Sequence, residues 1–260
     1  MGNSKFDSLG DRMKSFYEDR TRLFLPRRTY TIIRIDGKAF HTYTRGLEKP
    51  FDRDFVNDMD KTACYLCKNI QGTKFAFVQS DEISILLTDF DNISTNAYLD
   101  GNIQKIASVS ASLATAKFNS LRIAKFANPV NAWGSNLEEY FSQKLATFDA
   151  RVFTIPQYEI KNYFIWRQQD TVRNSISSVA QSLYSSKELH GKNTNQMQEM
   201  CFQKGINWND YDPKLKRGRF IKNTEFDLNG AIRTKWESVE CPIFSQDKEF
   251  LNNYILNGNK

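Results

Sequence analysis

The chain has 260 residues, 40% of them hydrophobic and 25% charged, with 12 glycines, 6 prolines and a formal net charge of +6. That length holds one large domain or two small ones and buries a core without staples. The low Gly and Pro content excludes collagen-like and Pro/Gly-rich disordered classes. A mean hydropathy of −0.57, with no apolar run near the ~20 residues a bilayer requires, excludes a transmembrane helix and a membrane partner.

Leu9, Met13, Phe16 and Tyr17 fall at helical spacing and predict a helix over 7–24, ended by Pro26. Thr29–Ile35 is a β-branched run that reads as a buried strand ended by Gly37. A loop with Gly46 and Pro50 leads to a helix over Arg53–Asn69. Lys74–Gln79 and Glu82–Thr88 are short apolar strands joined at Ser80-Asp81, a hairpin signal. A polar loop, Asp89–Asn102, precedes a long helix from Ile103 to about Lys125. Asn128–Glu139 reads as irregular, and Arg151–Ile155 as a strand stopped by Pro156. Residues 157–187 look helical, with a further helix over Asn195–Lys204 and short strands at Gly218–Asn223 and Ile232–Trp236.

The order from 29 to 155 is therefore β-α-β-β-α-β, the ferredoxin-like split unit. It predicts an α+β fold: an antiparallel sheet with two helices on one face and the other face open to a substrate. Residues 1–155 form this unit with its N-terminal helix. Residues 156–260 form a mostly helical extension with short strands, expected to pack on the same fold.

Cys64-Tyr65-Leu66-Cys67 is a C-x-x-C inside the 53–69 helix, without the second pair a zinc ribbon needs. It reads as two small core residues. With Cys201 and Cys241 it makes no disulfide framework, so a reducing compartment is expected. Phe6 breaks the myristoylation pattern that Gly2 begins, and no apolar signal segment follows, so the expectation is cytoplasmic. Two histidines, His41 and His190, exclude a multi-histidine metal site.

Asp36 ends the first strand and Asp81 sits at the hairpin tip, 45 residues on. In this topology the first and third strands lie side by side and antiparallel, so the end of one meets the start of the other. Two converging carboxylates beside Gly37 suit Mg²⁺, which takes one or two carboxylates and lets phosphates and water complete its shell. Two such ions stabilise the attacking and leaving oxygens of a phosphoryl displacement. On spacing alone, plain turn formation by both aspartates stays open. Gly37-Lys38-Ala39-Phe40-His41 begins as an anion nest would. Lys38 and Lys49 are cations near enough to hold outer phosphates, or are solvated surface charges, and His41 is equally readable as structural.

Ile33-Arg34-Ile35-Asp36-Gly37-Lys38-Ala39-Phe40-His41, Lys49-Pro50 with Asp52, and Gln79-Ser80-Asp81-Glu82-Ile83-Ser84 resemble the tRNA(His) guanylyltransferase superfamily. Phe148-Asp149-Ala150-Arg151-Val152, Trp166-Arg167-Gln168 and Lys216-Arg217-Gly218 continue the match in the family's order. The resemblance implies a palm-like catalytic unit that extends RNA 3′-to-5′. ATP activates a 5′-monophosphorylated tRNA end, and the 3′-hydroxyl of GTP or another nucleoside triphosphate attacks it. It further implies two Mg²⁺ held by Asp36, Asp81 and the Gly37 carbonyl, with Glu82 assisting. The nucleotide would lie on Asp36 through His41, Lys49, Ser80 and Asp81. The implied assembly is a homotetramer, a dimer of dimers.

There is a departure. Eukaryotic members carry His-Ile-Asn-Asn-Leu-Tyr-Asn where this chain has Val172-Arg173-Asn174-Ser175-Ile176-Ser177-Ser178. That form, with Lys192-Asn193 downstream, resembles the guanylyltransferase-like branch, which adds nucleotides opposite a template and repairs 5′-truncated tRNAs. Non-templated addition to tRNA(His), a nucleotide cyclase of the same palm type, and a non-catalytic tRNA binder with a relic site are the alternatives. For tRNA contacts the candidates are Arg28, Lys216 and Arg217, within the basic stretches around 20–28 and 214–222, joined by Arg173, Asn174 and Lys192 from outside them. Half of such positions are ordinary solubilising charge. Trp133, Tyr140 and Phe141 read as core.

Overall fold

A computed structural model describes residues 8–126 and 145–255. The expected irregular segment at 128–139, with Trp133, Tyr140 and Phe141, lies outside the described residues. In chain order the main elements are α1 (Leu9–Met13), β1 (Tyr30–Gly37), α2 (Phe40–Tyr43), α3 (Arg53–Asn69), β2 (Thr73–Gln79), β3 (Glu82–Leu87) and α4 (Ile103–Phe126). There follow β4 (Phe148–Ile155), α5 (Gln157–Leu183), α6 (Ser186–Leu189), α7 (Thr194–Gln203), α8 (Pro213–Arg217), β5 (Arg219–Leu228), β6 (Ala231–Glu240) and α9 (Lys248–Ile255).

The strands form one antiparallel sheet in the order β4-β1-β3-β2-β5-β6. Its first four strands keep the ferredoxin-like order, and the extension lengthens the sheet with a long hairpin. Alternation along β1 divides its side chains between two cores. Ile33 and Ile35 face α3 and α4, where Met59, Ala63, Leu66 and Phe118 are buried with them. Tyr30 and Ile32 face α5 and α9, joined by Phe75, Phe164, Phe220 and Leu251.

The second face is therefore not open, contrary to the sequence expectation. The apolar residues of β1, β2 and β5 on that side need cover, and α5 with α9 supplies it. The terminal helix was not foreseen, although Phe250, Leu251, Tyr254 and Ile255 fall at helical spacing. Past Ile32, toward Asp36, the residues of this face become polar: Arg34 opposite Ser84, then Asp36 opposite Glu82.

The expected helix over 7–24 is a broken one. Leu9–Met13 is α-helical, Lys14–Glu18 is π-helical and Asp19–Thr21 is 3₁₀, and none of them buries a side chain. The helical spacing of Leu9, Met13, Phe16 and Tyr17 is real, but among the described residues no surface covers it. In α3, capped by Asp52 through a 2.7 Å bond from the Phe55 N–H, Cys67 is buried and Cys64 half-buried, both as free thiols. Burial pushes the Cys64 thiol up to about 11, which marks it as packing material and not as a reactive thiolate.

Candidate active site

Asp36 sits opposite Glu82 of β3 on one side and Asp149 of β4 on the other. Directly opposed residues share a face, so three acidic side chains line up across the sheet end. Arg34 and Arg151 are likewise opposed, one pleat back. The β2–β3 turn has only Ser80 and Asp81 between the paired Gln79 and Glu82, and Ser80 takes φ 43°. Two-residue hairpins need such positive φ, and the tight turn brings Asp81 to the same end. A cleft of about 270 Å³ results, lined by Arg34, Asp36, Asp81, Glu82, Arg167 and Asn174 among others.

The charges in this cleft oppose one another. Burial pushes the Asp81 carboxyl up to about 6, against hydrogen bonds from Ser80 and its own backbone, and the charges of Asp36 and Glu82 add to the rise. Asp36 is raised by burial first, then by Glu82 and Asp149, with Arg151 and Arg34 pulling the other way. Carboxylates crowded so that each resists ionisation are short of a cation.

Glu82 is held differently. Arg167, 5% exposed, donates to it at 2.7 Å and with its other terminal nitrogen to Asp170 at 2.7 Å. Asp170 in turn accepts from Arg173 at 2.7 Å. The other Glu82 oxygen takes a 3.3 Å bond from Ser84, which is tied to Tyr163. Glu82 is thus anchored by a buried arginine, whereas Asp36 has a looser 3.7 Å contact with the exposed Arg151 and Asp81 accepts from Ser80 and its own backbone.

The 36–41 segment turns sharply at the end of β1. A Cβ on Gly37 would meet the Phe40 ring at 2.3 Å, so only glycine allows this return. The Phe40 ring is buried against Phe55, Phe118 and Phe148, leaving its backbone alone available to a ligand. Ala39 adopts the left-handed region, while Lys38 and His41 are exposed. His41 contacts the Thr42 hydroxyl at 2.9 Å. Lys49 lies on a second cavity of about 230 Å³, which shares Gln79, Ser80 and Asn174 with the acidic cleft.

The RNA candidates divide. Asn174 lines both cavities, and Arg173 beside it on α5 is exposed. Lys192 is exposed in the turn before α7, and Arg217 is half-buried at the end of α8. Lys216 is 6% exposed, with its ammonium on the Asn209 carbonyl and over the Trp208 ring, so the fold occupies it. Arg28 precedes β1 and is bonded to Asp89 and the Ile93 carbonyl. From there β1 runs roughly 20 Å to Asp36, which puts Arg28 at the opposite end of the sheet.

Among the described residues no group of three His, Cys, Asp or Glu side chains is placed as a complete metal cage. Two crowded carboxylates beside a glycine turn are instead the donor set that leaves most positions to phosphate and water, as Mg²⁺ prefers. Sequence reasoning gave no role to Asp149 or to Arg167. Both sit in motifs it had singled out, and strand pairing alone would have opposed Asp149 to Asp36.

The family model described as Thg1, tRNAHis guanylyltransferase, matches residues 10–156. An uncharacterised protein of Acanthamoeba polyphaga mimivirus is 29% identical over 256 residues, covering 93% of this chain and 87% of its own. A bacterial tRNA(His) guanylyltransferase-like protein solved in complex with ATP superimposes with a TM-score of 0.81 at 44% identity, over 96% of this chain and all of its own. The tRNA(His) guanylyltransferase of Saccharomyces cerevisiae superimposes at 0.66 and 25% identity, over 93% of this chain and all of its own.

Proposed function

The chain belongs to the tRNAHis guanylyltransferase family and is a tRNA nucleotidyltransferase, and on that premise we propose that it extends 5′-truncated tRNAs in the 3′-to-5′ direction, opposite a template. The observation that carries the reading is the meeting of Asp36 and Asp81 at one sheet end, beside the cavity that holds Lys49. The templated branch is supported by the absence of the eukaryotic His-Ile-Asn-Asn-Leu-Tyr-Asn segment at 172–178. It is supported also by 44% identity to the bacterial guanylyltransferase-like protein against 25% to the yeast enzyme.

In this reading Asp36, Asp81 and the Gly37 carbonyl hold two Mg²⁺. When bound, these ions neutralise triphosphate charge and stabilise the attacking and leaving oxygens. Lys49 takes the outer phosphates, and Ser80 with the backbone of Lys38, Ala39, Phe40 and His41 borders the nucleotide. Activation joins the 5′-phosphate to the α-phosphorus of ATP with release of pyrophosphate. The 3′-oxygen of the incoming nucleotide then bonds to the 5′-phosphorus, and AMP leaves. Arg167 holds Glu82 in one place, beside Asp36 and Asp81. Arg173, Lys192 and Arg217 offer sequence-independent phosphate contacts, leaving base choice to pairing. Arg28 and Lys216, bound up in the fold, contribute to RNA affinity only through their charge. Residues 156–260 act with the palm as one unit, and the active assembly is a homotetramer.

The test is extension of tRNAs lacking their first base, with each nucleotide offered separately. Incorporation should follow the template base. Asp36→Ala and Asp81→Ala should each cost roughly three powers of ten or more, as loss of charge stabilisation does in phosphoryl transfer. GTP used equally opposite every template base would return the enzyme to non-templated guanosine addition. A cyclic product from ATP or GTP without RNA would make it a cyclase.

A further inference from the structure

Trp166 stands next to Arg167, the residue that anchors Glu82. Tryptophan is highly buried on average, but this one is 46% exposed. It is also held in place. The Arg167 guanidinium lies over one ring face, 3.8 Å from the ring centre, and is itself fixed by Glu82 and Asp170. Tyr163 meets the ring edge-on at 5.9 Å between centres. Among the described residues no other aromatic ring or cation is placed on the indole. One flat face is therefore rigid and turned to solvent.

The surroundings limit what covers that face. Tyr163 also packs on Phe153 of β4 at 5.8 Å, so the indole lies on the β4 side of the acidic cleft. Asp170, one helical turn further along α5, lines the cleft itself. The cavity that holds Lys49 joins the cleft on the other flank, on the β2 side, through Gln79, Ser80 and Asn174. The neighbours of Trp166 on its own face of α5 are polar, Asn162, Gln169 and Asp170, and the exposed Arg173 follows two turns on. A single aromatic face among polar groups opposes an apolar protein surface or a lipid. It suits a flat ring with polar edges, carried on a backbone whose phosphates a nearby cation attracts: a base in RNA.

We propose that Trp166 is the platform on which an unpaired base of the tRNA acceptor end stacks, on the 3′ strand opposite the 5′ end being extended. A nucleotide seated from the Lys49 side leaves the β4 side to the RNA end that meets it at the carboxylates. In a 5′-truncated tRNA the strand facing the 5′ end runs on unpaired, and its bases are free to stack on an aromatic side chain. Every base offers a ring face, so the platform holds the template strand without choosing its sequence. This rests on the tRNA-extension reading above.

Direct binding to the intact protein tests it, at one fixed salt concentration, with Mg²⁺ and no nucleotide. Two tRNAs lacking their first 5′ nucleotide are compared, one unmodified and one with abasic residues at its unpaired 3′-strand positions. The native chain should bind the unmodified tRNA about 5- to 150-fold more tightly, the span of one base stacked on an aromatic ring. Trp166→Ala should reduce that difference to near none, and Trp166→Phe should keep most of it. The tryptophan emission of the native chain should fall further with the unmodified tRNA than with the abasic one, and Trp166→Phe should abolish that contrast. The emission comparison holds even where Trp166→Ala does not fold. Equal affinity of the native chain for the two tRNAs would overturn the proposal. So would an equal loss on both tRNAs in Trp166→Ala, which would mean that the indole acts only by supporting Arg167. Failure of both tRNAs to bind would overturn the extension reading as well, whereas binding that ignores the unpaired bases would overturn this inference alone.

Discussion

Asp81 is the residue on which the site's electrostatics can be measured without substrate. Its folded pKa of about 6 stands above the ~3.9 of an unfolded aspartate. Between those values the native state holds a proton that the unfolded chain has lost, so stability falls as pH rises from about 4 to 6 and then levels. The shift sets an upper limit of ~3 kcal/mol on this loss. In EDTA, Asp81→Asn should therefore raise the melting temperature by a few degrees at pH 7.5 and flatten the slope between pH 4 and 6, while with Mg²⁺ present it should abolish extension. Thermal unfolding across pH checks this, and a lower melting temperature for the variant at pH 7.5 would contradict it. Glu82 differs in that Arg167 pairs with it. Arg167→Met leaves a buried carboxylate without its partner, a loss of ~3–5 kcal/mol by denaturant unfolding. The double variant Arg167→Met, Glu82→Leu should recover part of that, since no orphan charge remains.

Strand β1 shows how much of the site could be read from the chain. The β-branched run Thr29–Ile35 announces a buried strand, and the β-α-β-β order places β3 beside it, with the hairpin tip at Ser80-Asp81 at its start. Asp36 and Asp81 then have to share an end, and they were legible for that reason. Asp149 was not, because the sequence reading began β4 at Arg151 and so missed the pairing of Asp36 with Asp149. Arg167 escaped because its contact with Glu82 depends on how α5 crosses the sheet, which no local spacing encodes. The turn after β1 also yields a test. Gly37→Ala puts a methyl into the Phe40 ring, and that ring cannot retreat from Phe55, Phe118 and Phe148. Overpacking of this kind costs ~1–3 kcal/mol, and it should displace the 36–41 backbone as well. We expect weaker nucleotide binding together with a lowered melting temperature; unchanged values for both would show that the Phe40 ring is free to move.

On the scale of the molecule, the sheet carries two cores of unequal history in the sequence. The α3/α4 side was expected from the βαββαβ order. The other side draws β5, α5 and α9 from the second half of the chain, and its aromatic packing is dense: Phe75 lies 4.7 Å from Phe164 and 4.8 Å from Phe220, ring centre to ring centre. If residues 156–260 are part of one folding unit, a cut into this core must destabilise the palm as well. Phe220→Ala should cost ~3–5 kcal/mol and keep a single unfolding transition, with nucleotide binding lost in step with the fold. Phe16 offers the control, since it is 54% exposed on the broken N-terminal helix. Phe16→Ser should change monomer stability by no more than ~0.5 kcal/mol. Denaturant unfolding followed at once by tryptophan fluorescence and by nucleotide-dependent protection separates the outcomes. Two transitions in Phe220→Ala, the first leaving nucleotide binding intact, would mean that the second half unfolds apart from a self-sufficient palm. A loss in Phe16→Ser comparable to that in Phe220→Ala, and dependent on protein concentration, would mean that the exposed N-terminal stripe is buried between chains.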